Sequence, residues 1–201
     1  MAVTRMLSLQ GRQLIAASLG LVAFLGLTGY ALDRAFAETA EASLRQRLEN
    51  YIWAYLDGSE LGRRGDLILP DLPPDSRFNR PGSGLYFGAR GESFVRESAS
   101  ALGRDLPFDL QLAPGVSRFE GPISTPAGDI YRFSLGVAWE ISEAREVQFT
   151  VHLAEDTVAL ERQLAVFRRS LWAYLGAAAA LLLGLQILVL RWSLAPLRRV
   201  V

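Results

Sequence analysis

The chain has 201 residues, half of them hydrophobic, with 21 Arg and 21 acidic residues, no Lys, no Cys and one His. The absence of Cys excludes disulfides and thiolate metal sites, the lone His152 leaves any Ser/His/Asp set dependent on one residue, and with balanced charge no nucleic-acid partner is expected. So large an apolar share beside so many charges means that the apolar residues are clustered along the chain.

Residues 1–13 carry Arg5 and Arg12 and no acid, and read as a cytoplasmic tail. Leu14 to Leu32 follows as 19 residues without a charge, long enough as a helix to cross the roughly 30 Å hydrocarbon core of a bilayer. Ala35-Phe36-Ala37 resembles a small-x-small cleavage site, so a signal peptide is the alternative. The run is longer than the usual h-region and lies far from the N-terminus, which favours an uncleaved anchor.

From Asp33 to Asp57 the pattern is helical. Phe36, Ala40, Leu44, Leu48, Tyr51 and Tyr55 recur at spacings of three or four, with Glu38, Glu41, Arg45 and Glu49 on the other faces. No Pro or Gly interrupts before Gly58, so this helix is expected to continue from the apolar run. Gly58 to Gly84 reads as a loop broken by Pro70, Pro73, Pro74 and Pro81. Gly82-Ser83-Gly84 leads into a strand and not a helix N-terminus, so it reads as a turn and not as a phosphate loop.

Strands follow. Gly84–Ser100 reads as two short strands about a turn at Gly91. Ser117–Ile141 reads as a hairpin with Pro126 and Gly128 in its turn; Tyr131, Phe133, Leu135 and Val137 fall on one face, Arg132, Ser134 and Gly136 on the other. Glu146–Glu155 is a last strand, with Val147, Phe149, Val151 and Leu153 on one face. His152, on the opposite face, is expected to be half exposed, with a pH-sensing role as the alternative. Asp156 is expected to cap a second helix, whose seam Leu160, Leu164, Phe167 and Leu171 enters the second apolar run, Ser170 to Leu190, 21 residues without a charge. Trp172 and Trp192 mark its two ends. Residues 191–201 hold Arg191, Arg198 and Arg199 and no acid, with Pro196 where a helix would otherwise continue.

All 21 acids lie between Asp33 and Arg169, against 16 Arg. With the Arg-rich, acid-free flanks this places both termini in the cytoplasm and residues 33–169 outside. Two clusters in that segment could bind ligands. Glu140, Glu143 and Glu146 form a candidate site for a divalent cation, weak because Arg145 lies among them; a solvated loop is the bland reading. Arg77, Arg90, Arg96, Arg104, Arg118 and Arg132 would form an anion pocket if several converge. No catalytic residue is assigned.

The stretch "FRRSLW…LLLGLQILVLRWSLAPLRRVV", together with "LGLTGYALDRAF", resembles the second membrane span and HAMP entry of bacterial sensor histidine kinases, in particular the PhoQ-like group. The layout of long helix, Pro-rich loop, short strands and return helix is similar to their PAS-like (PDC-type) periplasmic domain. The resemblance implies an α+β inner-membrane protein: tail 1–13, transmembrane helix 14–32, periplasmic sensor domain 33–169 of about five antiparallel strands, transmembrane helix 170–190, and start of a HAMP linker 191–201. It implies a homodimer, a response regulator as partner, and ATP and Mg²⁺ for a kinase core expected after Val201. Pro196 would take part in signal transfer. Leu44, Leu48, Leu160 and Leu164 would line a dimer seam or pack under the sheet. Chemoreceptors and diguanylate cyclases share the layout and are the alternatives, with a stand-alone accessory protein as a third.

Overall fold

The computed structural model describes residues 9–62, 65–142 and 145–194. Helix α1 (Leu9–Asp57) is unbroken, as the absence of a breaker before Gly58 requires, and helix α2 (Thr157–Leu194) likewise joins the second seam to the second apolar run. Two compact units divide the chain: residues 40–161, and residues 1–39 with 162–201.

The first of these is built on a five-stranded antiparallel sheet. Its strands are β3 (Leu85–Gly91), β4 (Val95–Glu97), β5 (Ser117–Thr125), β6 (Gly128–Ser142) and β7 (Arg145–Asp156), in the order β4-β3-β7-β6-β5. The last strand therefore lies in the centre, between β3 and β6, and passes straight into α2. The segment 58–84, expected as a loop, also carries a two-residue pair, β1 (Glu60–Leu61) with β2 (Leu67–Ile68), and a 3-10 turn at Ser76–Asn79. Asp75 caps that turn, accepting from the Arg77 backbone N–H at 2.8 Å. Pro residues prevent regular elements here but leave room for such short ones.

One face of the sheet packs on the 40–57 part of α1. Leu44, Leu48, Ile52, Tyr55 and Leu56 share a buried cluster with Leu85, Phe87, Phe133, Leu135, Phe149, Val151 and Leu153. Tyr55 stacks on Phe87 with centroids 4.0 Å apart, and its edge meets Phe78. Of the two roles held open for Leu44 and Leu48, the structure selects packing under the sheet: they are 3% and 0% exposed within a single chain.

The opposite face, expected to be open to solvent, is covered. Residues 104–116, which form no strand or helix, run across it as a strap. Phe108 joins Tyr86, Ala101, Ile130 and Ala154 in a second buried cluster. The strap approaches so closely because two strand positions lack a side chain. A Cβ at Gly88 would clash with the Phe108 ring, and one at Gly136 would strike the Ala113 carbonyl. The Gly115 N–H bonds the Gly136 carbonyl, and the Gly136 N–H bonds the Val116 carbonyl, each at 2.9 Å.

In the second unit, Phe36 stacks on Phe167 with centroids 3.8 Å apart, and Arg168 Nε meets Asp33 at 2.7 Å. Gly29 lets Trp172 and Leu175 lie against the backbone of α1. Both helices are long and apolar enough to cross a membrane, and their most apolar stretches are almost wholly unburied. Leu19, Phe24, Leu27 and Leu181 are 65–70% exposed. A surface of that kind is unfavourable in water and favourable in lipid.

Candidate functional site

The strap-covered sheet face carries a group of buried polar side chains, Arg132, Ser134, Thr150 and His152. Register puts Gly88, His152, Ser134 and Arg118 in one row across β3, β7, β6 and β5. The next row towards α2 holds Tyr86, Ala154, Arg132 and Glu120. The row on the other side holds Arg90, Thr150 and Gly136. Arg90 and Arg132 are thus diagonal neighbours of His152, on opposite sides of it.

His152 is fully buried, which corrects the half-exposed reading. The alternation that places it off the apolar face is right; the strap is what buries it. Its ring lies parallel to Phe108 at 5.3 Å, and Nδ1 is 2.8 Å from Ser134 Oγ. Nε2 is buried and makes no hydrogen bond of good geometry among the described residues, the Leu110 carbonyl of the strap being its polar neighbour. Burial first, then Arg132 and Arg90, lower its pKa to about 4, against weaker opposition from Asp109 and the Leu110 carbonyl. The ring is therefore neutral at pH 7.

Arg132 is itself 7% exposed, donating to the Pro107 carbonyl of the strap and to Glu120, which also meets Arg118 at 2.6 Å. Arg90 differs. Its side chain makes no hydrogen bond or ion pair among the described residues, and its Nε is buried. It lines a polar pocket of about 120 Å³ with Gly91, Glu92, Gln111, Leu112, Gln148, Phe149 and Thr150. Thr150 Oγ1 accepts from the Leu112 N–H at 2.9 Å, which clasps the strap to β7 at the pocket wall.

The end of β7 carries a second polar node. Glu155, 4% exposed, accepts from Arg47 Nη2 of α1 at 2.7 Å and from Arg77 Nη1 at 3.2 Å. Arg77 also grips Asp75, whose other donor is the Tyr51 hydroxyl at 2.9 Å. The Arg77 hydrogen bond is the main cause that lowers the Asp75 pKa to about 2. Asp156 does not cap α2: Oδ2 accepts from Tyr86 at 3.3 Å and Oδ1 is buried without a partner. It is the last residue of β7 and turns toward the sheet, where burial raises its pKa.

The residues singled out from sequence fare unevenly. Glu140 and Glu146 are exposed and face each other directly across β6 and β7. Glu143 lies outside the described residues, and so does Pro196. Among the described residues no group of three or more His, Cys, Asp or Glu is placed to hold a metal ion. The six Arg do not converge. Arg77, Arg96, Arg118 and Arg132 are tied to carboxylates, and Arg104 lies 5.2 Å over the Tyr86 ring. Only Arg90 of the six is left to a pocket. Sequence reasoning had no signal for the strap beyond the two strand glycines, and Glu155 read as an acid suited to the start of the second helix, not as the acceptor of two distant Arg.

No family model matches the chain, and no solved structure matches it. It is similar to the two-component sensor PhoQ of Pseudomonas aeruginosa, with 24% identity over 194 residues. The match takes in 95% of this chain, both apolar helices and the sheet between them included, and 42% of that relative, so the chain spans less than half of the relative's length. The likeness is to a sensor of the two-component kind, in a stretch that shows no catalytic constellation among the described residues.

Proposed function

We propose that these residues are the sensory part of a bacterial two-component sensor histidine kinase in the inner membrane. The observation that carries this reading is the similarity to a two-component sensor across both apolar helices and the sheet domain together. In this reading residues 14–32 and 170–190 span the membrane. Residues 33–169 are a PAS-like periplasmic domain, 1–13 face the cytoplasm, and 191–201 begin a HAMP linker. The central position of β7, which runs from the strap-covered face directly into α2, supports a sensing role: anything that shifts β7 pulls on the helix that follows it. ATP- and Mg²⁺-dependent autophosphorylation, a response regulator as partner and a homodimeric unit belong to the whole protein. A divalent cation at Glu140, Glu143 and Glu146 would be a weak, secondary ligand. Pro196 would pass the displacement of α2 to the linker.

A ligand shifts such a receptor only by binding its two states differently. The test is a chimera in which residues 1–201 replace the matching stretch of the Pseudomonas aeruginosa sensor. Membranes carrying it should incorporate phosphate from ATP, and the level should change when Leu48→Ala loosens the sheet domain. A level indifferent to that substitution rejects the sensory reading.

A further inference from the structure

We propose that the pocket walled by Arg90, Thr150, Gln111 and Gln148 is a receptor site for a small carboxylate, gripped by the Arg90 guanidinium. The proposal deepens the sensory reading by naming the ligand class of its outer domain.

Arg90 carries the argument. A guanidinium has five donors in a planar fork that fits a carboxylate. A guanidinium nitrogen buried without a hydrogen bond loses hydration and gains nothing in return. The other five of the six Arg considered above each have a carboxylate or an aromatic face. Arg90 has only the pocket, and its Nε is fully shielded from solvent there. A second donor faces the same space. The Thr150 oxygen is taken as acceptor by Leu112 N–H, so the hydroxyl proton remains to be given. The Gln111 and Gln148 amides add neutral donors and acceptors around the opening.

Size and charge narrow the class. About 120 Å³ exceeds what a single water needs and falls below the roughly 300–1,000 Å³ of drug-sized sites. Glu92, exposed at the rim, offsets the charge of Arg90. A dianion such as phosphate would meet that carboxylate; a monocarboxylate fits, and one bearing an ammonium group would gain from Glu92 as well. The ligand would touch β3 and β7 through Arg90 and Thr150 and the strap through Gln111. It would thereby hold the strap against the strand that leads to α2.

The lone His supplies the readout. Arg90 is one of the charges that hold His152 neutral. A carboxylate on Arg90 cancels part of that effect, so ligand binding should raise the His152 pKa. The full chain in lipid nanodiscs is titrated with acetate, glycine and inorganic phosphate while the His152 ring resonances are followed. Saturable shifts with acetate or glycine are expected, with phosphate weaker. Arg90→Gln should weaken binding about tenfold or more, the scale of a lost hydrogen bond to a charged group, while leaving the unliganded melting temperature unchanged or higher. Phosphate binding tighter than both carboxylates overturns the ligand class. Absence of saturable binding, equal binding by Arg90→Gln, or a lowered unliganded melting temperature in that variant overturns the site. None of these outcomes depends on kinase output, so they stand apart from the chimera result.

Discussion

Arg47 of α1 and Glu155, the penultimate residue of β7, meet at 2.7 Å, the carboxylate 4% exposed and the guanidinium at the domain surface. With Arg77 at 3.2 Å, the pair ties the long helix to the strand end from which α2 departs. Replacing the Glu155 carboxylate by an amide leaves two guanidinium groups with one acceptor oxygen between them and an NH2 donor in place of the other. Glu155→Gln should therefore lower stability by about 1–3 kcal/mol, the scale of hydrogen bonds to charged groups. Glu146→Gln, on an exposed strand position, should stay within about 0.5 kcal/mol. Urea unfolding of the two variants gives the comparison. The neighbouring Asp75 adds a pH signature. Its folded pKa of about 2 lies below the ordinary value of roughly 3.9. The stability it contributes is thus present above about pH 4 and lost as pH falls toward 2.

His152 has a different window. Its pKa is lowered from 6.5 to about 4, so between those values the unfolded chain binds a proton that the folded chain refuses. Stability then rises with pH across that interval and is lost as pH falls through it, on the order of 3 kcal/mol in all. Asp156, whose pKa burial raises, acts with the opposite sign at the acid end and blunts the slope there. In His152→Gln the stability slope between pH 4 and 6.5 should be clearly flatter than in the parent. Urea midpoints measured at half-unit steps decide it; parallel slopes in the two proteins would mean that the ring titrates normally.

The strap depends on two bare strand positions. Gly136→Ala sets a methyl group against the Ala113 carbonyl, a backbone atom that cannot rotate away. Gly88→Ala sets one against the Phe108 ring, which is already stacked on His152. Overpacking of this kind costs about 1–3 kcal/mol. Gly136→Ala should be the worse of the two, and its loss should fall on the strap. Faster hydrogen exchange at the Leu112 amide, with the β6–β7 ladder amides unchanged, is the expected pattern.

Orientation follows from charge. A reporter active only in the periplasm should be active when fused after Gly115, within the strap, and silent when fused after Val201. The reverse would remove the membrane topology proposed above, since the Arg-rich flanks are its physical basis.

Much of the architecture was legible in the residues. The three- and four-residue spacing from Phe36 to Tyr55 places Ala40, Leu44, Leu48 and Tyr55 in the core, and all are buried. Alternation in β6 and β7 puts Phe133 with Leu135, and Val151 with Leu153, on one face of each strand, and that face is the one that packs on α1. Local periodicity could not say what lies on the other side. His152, Ser134 and Arg132 read as outward-facing, and outward they are, but a segment without any periodicity folds over them. A strap made of coil leaves no repeat; only Gly88 and Gly136, in strands otherwise rich in side chains, mark where another backbone comes close. Strand order was equally hidden, because nothing local makes β7 pair with β3. The arginines illustrate the same limit: charge pairing across 78 and 108 residues, as in Glu155 with Arg77 and Arg47, is a property of the fold.

Glu140 and Glu146 test the cation expectation. They are cross-strand partners at the exposed ends of β6 and β7. Like charges directly opposite are unfavourable by about 0.2–1 kcal/mol. The Glu146 carboxylate already accepts from the Gln148 amide at 3.0 Å, a local contact that relieves little of the repulsion. A divalent cation between the two would relieve all of it, but two exposed side chains offer few of the six or more oxygens that Ca²⁺ takes, and binding should be weak, toward the millimolar end of the known range. Two outcomes follow together. Glu140→Gln should leave the protein as stable or slightly more stable in the absence of metal, and should abolish whatever stabilisation millimolar Ca²⁺ or Mg²⁺ confers on the parent. Calorimetric titration of the full chain, with and without that substitution, measures both. Micromolar binding lost in Glu140→Gln would show that further oxygens complete the site, with Glu143 the first to examine; micromolar binding retained in it would place the cation elsewhere and clear the strand ends of any metal role.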